Sequence, residues 1–418
     1  MNRYRFALSL LAAIAMGAPL AQAETPKFQG YFSQGIIYSG DNPFFDNDTG
    51  VNFNYRELGL NLSWNANERL RFAGQILSRK AGVLDDGNPK LDFLLADYNF
   101  YVSEDISAGV RLGRVKNHYG LYNTTRDVPH GRPGVFVPQS VYFESLRGVL
   151  LSSDGGDFYL NYFNDIADIS LDLYGGKAHF DNKSIEYQLF QADVPGKFDD
   201  VDGTGLKMDI KPKNVQDLTL GFTLLDINTK YRNAPTFTPQ QQVTEGLKLL
   251  NNPSSYPFYI TRLELDAIMQ LYSLQYARQN LIYTAEYLDI NLKFNNTEIL
   301  NLPISLPRDK INVAAYYAQV EWIASNKLSV YTRYEELYYD SGDKSGKEYA
   351  ALTGGNPITQ YNKAFTLGAR WYFTPDFSIT AESSHNKGAA FINGQADVDY
   401  SQLKEDWNMF ILQLSYHF

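Results

Sequence analysis

The last twelve residues, Trp407 to Phe418, read WNMFILQLSYHF and constrain the chain most. Phe410, Leu412, Leu414, Tyr416 and Phe418 occupy one face of an extended strand. Met409, Ile411, Gln413, Ser415 and His417 occupy the other, because successive strand side chains point to opposite faces. An apolar face with aromatics toward both ends suits a strand that crosses a bilayer as part of a closed barrel. Periodicity alone also permits a soluble β-sandwich ending on an edge strand.

The rest of the chain favours the barrel. Runs of about ten residues with the same alternation recur, the length that crosses a bilayer when tilted. In Lys363–Phe373, Phe365, Leu367, Ala369, Trp371 and Phe373 are predicted to face lipid, and Thr366, Gly368 and Arg370 the lumen. In Leu58–Trp64 the leucines and Trp64 face outward against Glu57, Asn61 and Ser63. Short linkers rich in Asn, Asp, Gly and Pro alternate with long ones. The short ones include Asn65–Asn67, Ser103–Asp105, Asp154–Gly156 and Thr374–Asp376. The long ones include Lys80–Lys90, Lys116–Arg147, Thr229–Asp266 and Lys387–Asp406. Tight turns on one rim and long loops on the other are the asymmetry of an outer-membrane barrel. The expected fold is an all-β transmembrane antiparallel barrel of about 18 strands, or 16 if a segment between Leu150 and Lys213 is over-counted.

Composition narrows the compartment. Arg3 and Arg5, an apolar run Phe6–Ala15 and Ala21-Gln22-Ala23 read as a cleaved signal peptide over residues 1–23, with a mature barrel over 24–418. There is no cysteine among 418 residues, which removes thiolate nucleophiles and zinc or iron–sulfur ligation through sulfur. A formal charge of −10 argues against nucleic acid as a partner. The five histidines are scattered, and neither zinc spacing nor a nucleophile elbow is present. Ser384-His385-Asn386 lacks the spacing of a catalytic set, and the acidic run Asp199-Asp200-Val201-Asp202-Gly203 lacks the distal glutamate of a Ca²⁺ loop. No enzyme, cofactor or metal is expected; a secreted all-β enzyme or binding protein stays as the alternative from another class.

With lipid outside, charge belongs in the lumen. Lys116–Arg147 carries Pro129, Pro133 and Pro138, three glycines and the apolar Val135, Phe136, Val137, Val141, Tyr142 and Phe143. A loop this apolar is expected to fold into the barrel and pack on its inner wall, with a short helix over Pro138–Arg147. Thr238-Pro239, followed by Val243, Leu247 and Leu250, predicts a capped helix in the other long loop, residues 229–266.

A long third loop leaving a strand that ends Arg111-Leu112-Gly113-Arg114, in a barrel whose last strand ends Tyr-x-Phe, resembles the Gram-negative outer-membrane porin superfamily. The stretch Tyr119–Phe143 is similar to that of porins from marine gammaproteobacteria. The resemblance implies a water-filled channel for passive diffusion of small hydrophilic solutes and ions in the outer membrane, with a substrate-specific channel as the alternative. It also implies contact with membrane lipid and lipopolysaccharide, insertion by the barrel-assembly machinery through Phe418, and a homotrimer. The third loop would form the pore constriction with Lys116, Arg126, Asp127, Arg132, Glu144 and Arg147. The facing wall would offer Arg69, Arg71, Arg79, Arg111, Arg333 and Arg370. Four basic against two acidic residues in Lys116–Arg147 give +2, which would favour small anions there.

Overall fold

The computed structural model describes residues 24–45, 49–180, 182–304, 308–396 and 398–418. The signal peptide expected over residues 1–23 lies outside them. Sixteen long strands form the wall. They are β1 (Lys27–Ser39), β2 (Gly50–Asn65), β3 (Leu70–Ala81), β4 (Asp85–Val102), β5 (Ile106–Lys116) and β6 (Ser152–Phe163). They continue as β7 (Ala167–Ala178), β8 (Val201–Pro212), β9 (Leu218–Arg232), β10 (Ile260–Arg278) and β11 (Leu281–Ile299). The circuit ends with β12 (Lys310–Ser325), β13 (Leu328–Tyr338), β14 (Tyr361–Tyr372), β15 (Phe377–Gly388) and β16 (Asp406–His417). Two strands of two residues each, Lys197–Phe198 and Leu302–Pro303, sit above the wall and bring the sheet to 18 strands. The wall strands pair antiparallel with their sequence neighbours, Lys197–Phe198 pairs with β9, and β1 pairs with both β2 and β16, which closes the barrel. Closure leaves no strand edge unpaired, which a lipid environment requires.

Both ends of the wall meet on the short-turn rim, where Gly30 and Phe418 exchange two backbone hydrogen bonds of 3.0 Å. Trp371, Phe373, Phe377, Tyr416 and Phe418 follow one another along this rim with centroids 4.4–5.8 Å apart. An aromatic girdle at the membrane–water boundary has this character. Above it, Leu58, Leu60, Leu62, Leu367, Leu412 and Leu414 are exposed on the outer face, while Glu57, Gln75, Arg79, Thr366, Arg370 and Gln413 are buried inside. The predicted faces of β2, β14 and β16 are therefore the observed ones.

Three local expectations differ. Asp154–Gly156 is no turn but part of β6, where Gly155 and Gly156 lie opposite Gly176 and Gly175. A Cβ on Gly155 would come within 2.0 Å of the Gly175 carbonyl oxygen, so this glycine serves close strand approach. The long loop expected over Lys80–Lys90 shrinks to residues 82–84, because Asp85–Lys90 continue β4. The helix expected over Pro138–Arg147 is absent; a single helical turn runs Arg147–Leu150 instead. Only one turn forms there, with Tyr142 N–H on the Pro138 carbonyl at 3.0 Å, while Ser140 N–H bonds Glu335 of the wall at 3.0 Å.

Three further helices sit in the loops: α1 (Asn182–Phe190), α2 (Pro239–Asn251) and α3 (Lys347–Thr353). The helix expected after Thr238 is α2. Thr238 and Gln241 form a reciprocal capping box at its start. Thr238→Ala removes that cap, worth about 1 kcal/mol. Amide exchange in the first turn of α2 is expected to quicken about fivefold, with the barrel amides unchanged.

Candidate functional site: the third loop and the lumen wall

Residues 117–151 leave β5, cross the lumen and return to β6. Their tip is held by an aromatic cluster. Phe136 lies 4.9 Å from Tyr55, 5.2 Å from Phe45 and 5.9 Å from Phe44, ring to ring. Trp407 flanks Phe44 at 6.1 Å. Tyr119, Val141, Tyr142 and Phe143 pack against Leu271, Leu288, Val313 and Leu337 of the wall.

Most charged residues assigned to the constriction meet here, and they meet as buried pairs. Arg132 donates to both oxygens of Glu57, at 3.1 and 2.7 Å, and to the Tyr55 hydroxyl at 3.0 Å. Arg79 reaches Asp85 and Glu144 at 2.5 Å each, and Glu57 at 3.4 Å. Arg126 donates to Glu144 at 2.6 Å and to the Tyr142 carbonyl at 2.9 Å. Lys116 holds Asp92 at 2.6 Å and also bonds Asp127, which Arg147 shares. Apart from Asp85 and Lys116, with 20% and 11% of their side chains exposed, these groups are almost fully withdrawn from solvent; Arg126 is 1% exposed. Buried charges of this kind persist only when paired and hydrogen-bonded.

The opposite wall ties down the loop backbone. Arg370 donates to the carbonyls of Pro129, Arg132 and Gly134 at 2.9–3.2 Å, and to that of His130 at 3.4 Å. Glu382 accepts the Val135 N–H at 2.9 Å. Arg333 pairs with Glu335 at 3.2 Å. Glu286 accepts from Leu121 N–H, Tyr142, Ser273 and Tyr317, at 2.6–3.0 Å. Burial beside His417, Arg370 and Arg132 pushes the His130 imidazole down to about 4, so it carries no charge at neutral pH.

Arg111 belongs to a separate, wetter cluster on β4–β8. It contacts Asp157, Asp172 at 3.2 Å and Asp97 at 3.7 Å, and lies 4.3 Å over the Tyr159 ring. Its side chain keeps 25% of its surface exposed, and Asp209 nearby keeps 23%. Lys207 bonds Asp209 at 3.2 Å and the Gly120 carbonyl at 2.7 Å. His118, Asp157 and Asp172 bring ligand atoms within 4.8 Å of one another, but the Arg111 guanidinium already sits against both carboxylates. Arg69 and Arg71 do not join the loop. They line a cavity of about 460 Å³ at the short-turn end with Glu24, Asp97 and Tyr159.

The partners Asp85, Asp92, Asp97, Asp157, Asp172, Lys207, Asp209 and Glu382 escaped the sequence reading. Glu382 was findable: Ser378, Thr380, Ser384 and Asn386 mark its face of β15 as polar, and all are buried. Asp85 falls in the loop expected over Lys80–Lys90, which β4 takes over from Asp85 onward. Ser384 and Asn386 point inward while His385 stands exposed outside, bonded to Asn408 at 2.9 Å, so the three form no catalytic set. Asp199 and Asp202 pair with Arg232 and Lys177, and Asp200 with His179.

The lumen is not polar throughout. On β10–β12, Leu265, Met269, Leu271, Leu288, Ile290 and Val313 face inward and are buried. The charged half spans β2–β8 and β13–β15, and the upper wall between them is apolar.

No family model matches the sequence, and no curated protein matches it at a significant level. Solved structures do. An anion-selective porin from Comamonas acidovorans superposes with a TM-score of 0.57 at 10% identity, covering 95% of this chain and 100% of that one. OmpT, an outer membrane protein of Vibrio cholerae described in a trimer form, gives 0.55 at 13% identity over 95% and 100%. The outer membrane channel DcaP of Acinetobacter baumannii gives 0.54 at 11% identity over 96% and 99%. The barrel with its inward third loop is thus the fold of the Gram-negative outer-membrane porins.

Proposed function

We propose that the protein is an outer-membrane channel for passive diffusion of small hydrophilic solutes and ions, exported by its first 23 residues and constricted by its third loop. The observation that carries this reading is a loop tied to the wall on every side, beside a charged strip that keeps contact with water. The outer-membrane setting of the structural neighbours supports the location, and the trimer form of the Vibrio cholerae protein supports a homotrimer.

The charge balance supports a preference for cations rather than anions. Arg79, Lys116, Arg126, Arg132 and Arg147 are five positive charges; Glu57, Asp85, Asp92, Asp127 and Glu144 are five negative ones, and all are mutually paired. The loop's own excess of +2 is thereby cancelled by wall acids. In the β4–β8 cluster, Arg111 and Lys207 face Asp97, Asp157, Asp172 and Asp209, a net of −2. Acidic rings favour cations.

Single-channel recording in a planar bilayer with a salt gradient tests this. Wild type is expected to give stable steps and a reversal potential of cationic sign. Asp172→Asn with Asp209→Asn is expected to halve the cation-to-anion permeability ratio. An anionic reversal potential that the double variant leaves unchanged would overturn the selectivity. Absence of steps from folded protein would overturn the channel itself.

A further inference from the structure

The apolar half of the vestibule encloses a cavity of about 390 Å³ above the third loop. Leu263, Leu292, Phe294, Ile311 and Val313 of β10–β12 form its wall. Leu189 and Phe190 of α1, Tyr256, and Tyr349 and Leu352 of α3 close it from the loop side. A second cavity of about 130 Å³ lies beneath, with Leu189, Leu292, Val313 and Tyr339 as common wall and Phe143 and Met269 lower down. The larger space falls in the size range of small-molecule sites, which are mostly apolar with a few placed polar groups. A passage for hydrated solutes has no physical need of such a surface, since it would have to be wetted at a cost.

The polar groups at the mouth specify charge. The amides of Gln188, Gln191, Gln360 and Asn393 border the space. Among the described residues Arg308 is the only cation on the lining, and it is bonded to Asp340 and Glu348. Asp343 accepts the backbone N–H groups of Lys347 and Tyr349 at 3.0 and 2.9 Å, so it is part of the α3 start. An anion entering here would meet a neutralised arginine and two carboxylates. A hydroxyl or amide would enter by exchange into a neutral network, in which these amides already bond one another, Thr359 and Tyr339.

We propose that this vestibule cavity is a binding site for an uncharged, elongated hydrophobic molecule with one neutral polar end, such as a medium-chain alcohol or amide. The hydrocarbon part lies along Leu292, Val313 and Leu189, and the polar end meets the amides at the mouth. Each buried methylene tightens binding about fourfold, whereas a carboxylate in place of the hydroxyl loses hydration with no cation left to receive it. The site is independent of the ion preference proposed above.

The test is equilibrium dialysis of radiolabelled octan-1-ol against the full-length protein in lipid nanodiscs, with empty nanodiscs subtracted. The expected result is a saturable component near one molecule per chain, with octanoate at neutral pH at least tenfold weaker. Leu292→Trp, which fills the cavity from the wall, and Leu352→Trp, which fills it from a loop helix outside the barrel, should each weaken octanol binding at least tenfold. Both should keep the heat-modifiable gel migration of the folded barrel. No saturable component in wild type, octanoate binding as tight as octanol, or undiminished binding in both folded variants would each overturn the proposal.

Discussion

Glu57→Ala is expected to lower barrel stability by about 3–5 kcal/mol, the cost of stranding a buried charge by removing its partner. Glu57 is fully buried on β2 and receives two hydrogen bonds from Arg132. Without it, Arg132 keeps the Tyr55 hydroxyl at 3.0 Å as its side-chain partner. Arg79 still has Asp85 and Glu144. The damage therefore falls on the loop, and trypsin should cut after Arg126 in the variant but not in the native protein. Urea unfolding in lipid vesicles measures the loss. The double variant Glu57→Leu, Arg132→Leu should recover much of it, because replacing both members of a buried pair by apolar groups is often neutral. A single variant as stable as wild type would show that the pair contributes nothing to holding the loop.

Phe136→Ala should cost a similar amount, about 3–5 kcal/mol, through the cavity left among aromatic rings. Phe136 is 2% exposed and is wedged between Phe44, Phe45 and Tyr55, which belong to the first loop and to β2. The truncation touches no charge, so it separates packing from pairing. Bilayer recordings should show larger and noisier conductance steps as the tip of the loop comes free. A shift below about 1 kcal/mol with quiet steps would mean that Arg370 and Glu382 hold the loop without the cluster.

The wall was legible in the sequence because its signal is geometric. Phe365, Leu367 and Trp371 against Thr366 and Arg370 can be laid on a strand in one way once one face must meet lipid. The third loop was legible for the complementary reason: six apolar residues, three on each side of Pro138, have nowhere to go but a packed surface. What periodicity does not carry is the identity of partners across the lumen. Glu382 and Val135, or Arg132 and Glu57, are brought together by closure of the barrel and by nothing local. β10 was hard for another reason. Leu265, Ala267, Met269 and Leu271 face inward while Ile268, Tyr272 and Leu274 face outward, so both faces are apolar and alternation loses its contrast. That strand holds part of the apolar vestibule wall, which composition could not reveal.

The grip of Arg370 on the loop backbone bears on the order in which the molecule is made. The residues it holds lie 236–241 positions earlier in the chain, and Glu382 reaches back 247 positions to Val135. Contacts of such separation must wait for loop closure and form late. A nascent barrel that has laid down β1–β13 still has the carbonyls of Pro129–Gly134 without their guanidinium. The tip first meets Tyr55 and Glu57 of β2, and its backbone is pinned from the far side only when β14 and β15 arrive. An assembly stalled before that step holds its loop from one side, so the closing strands act as the safety catch of the whole device.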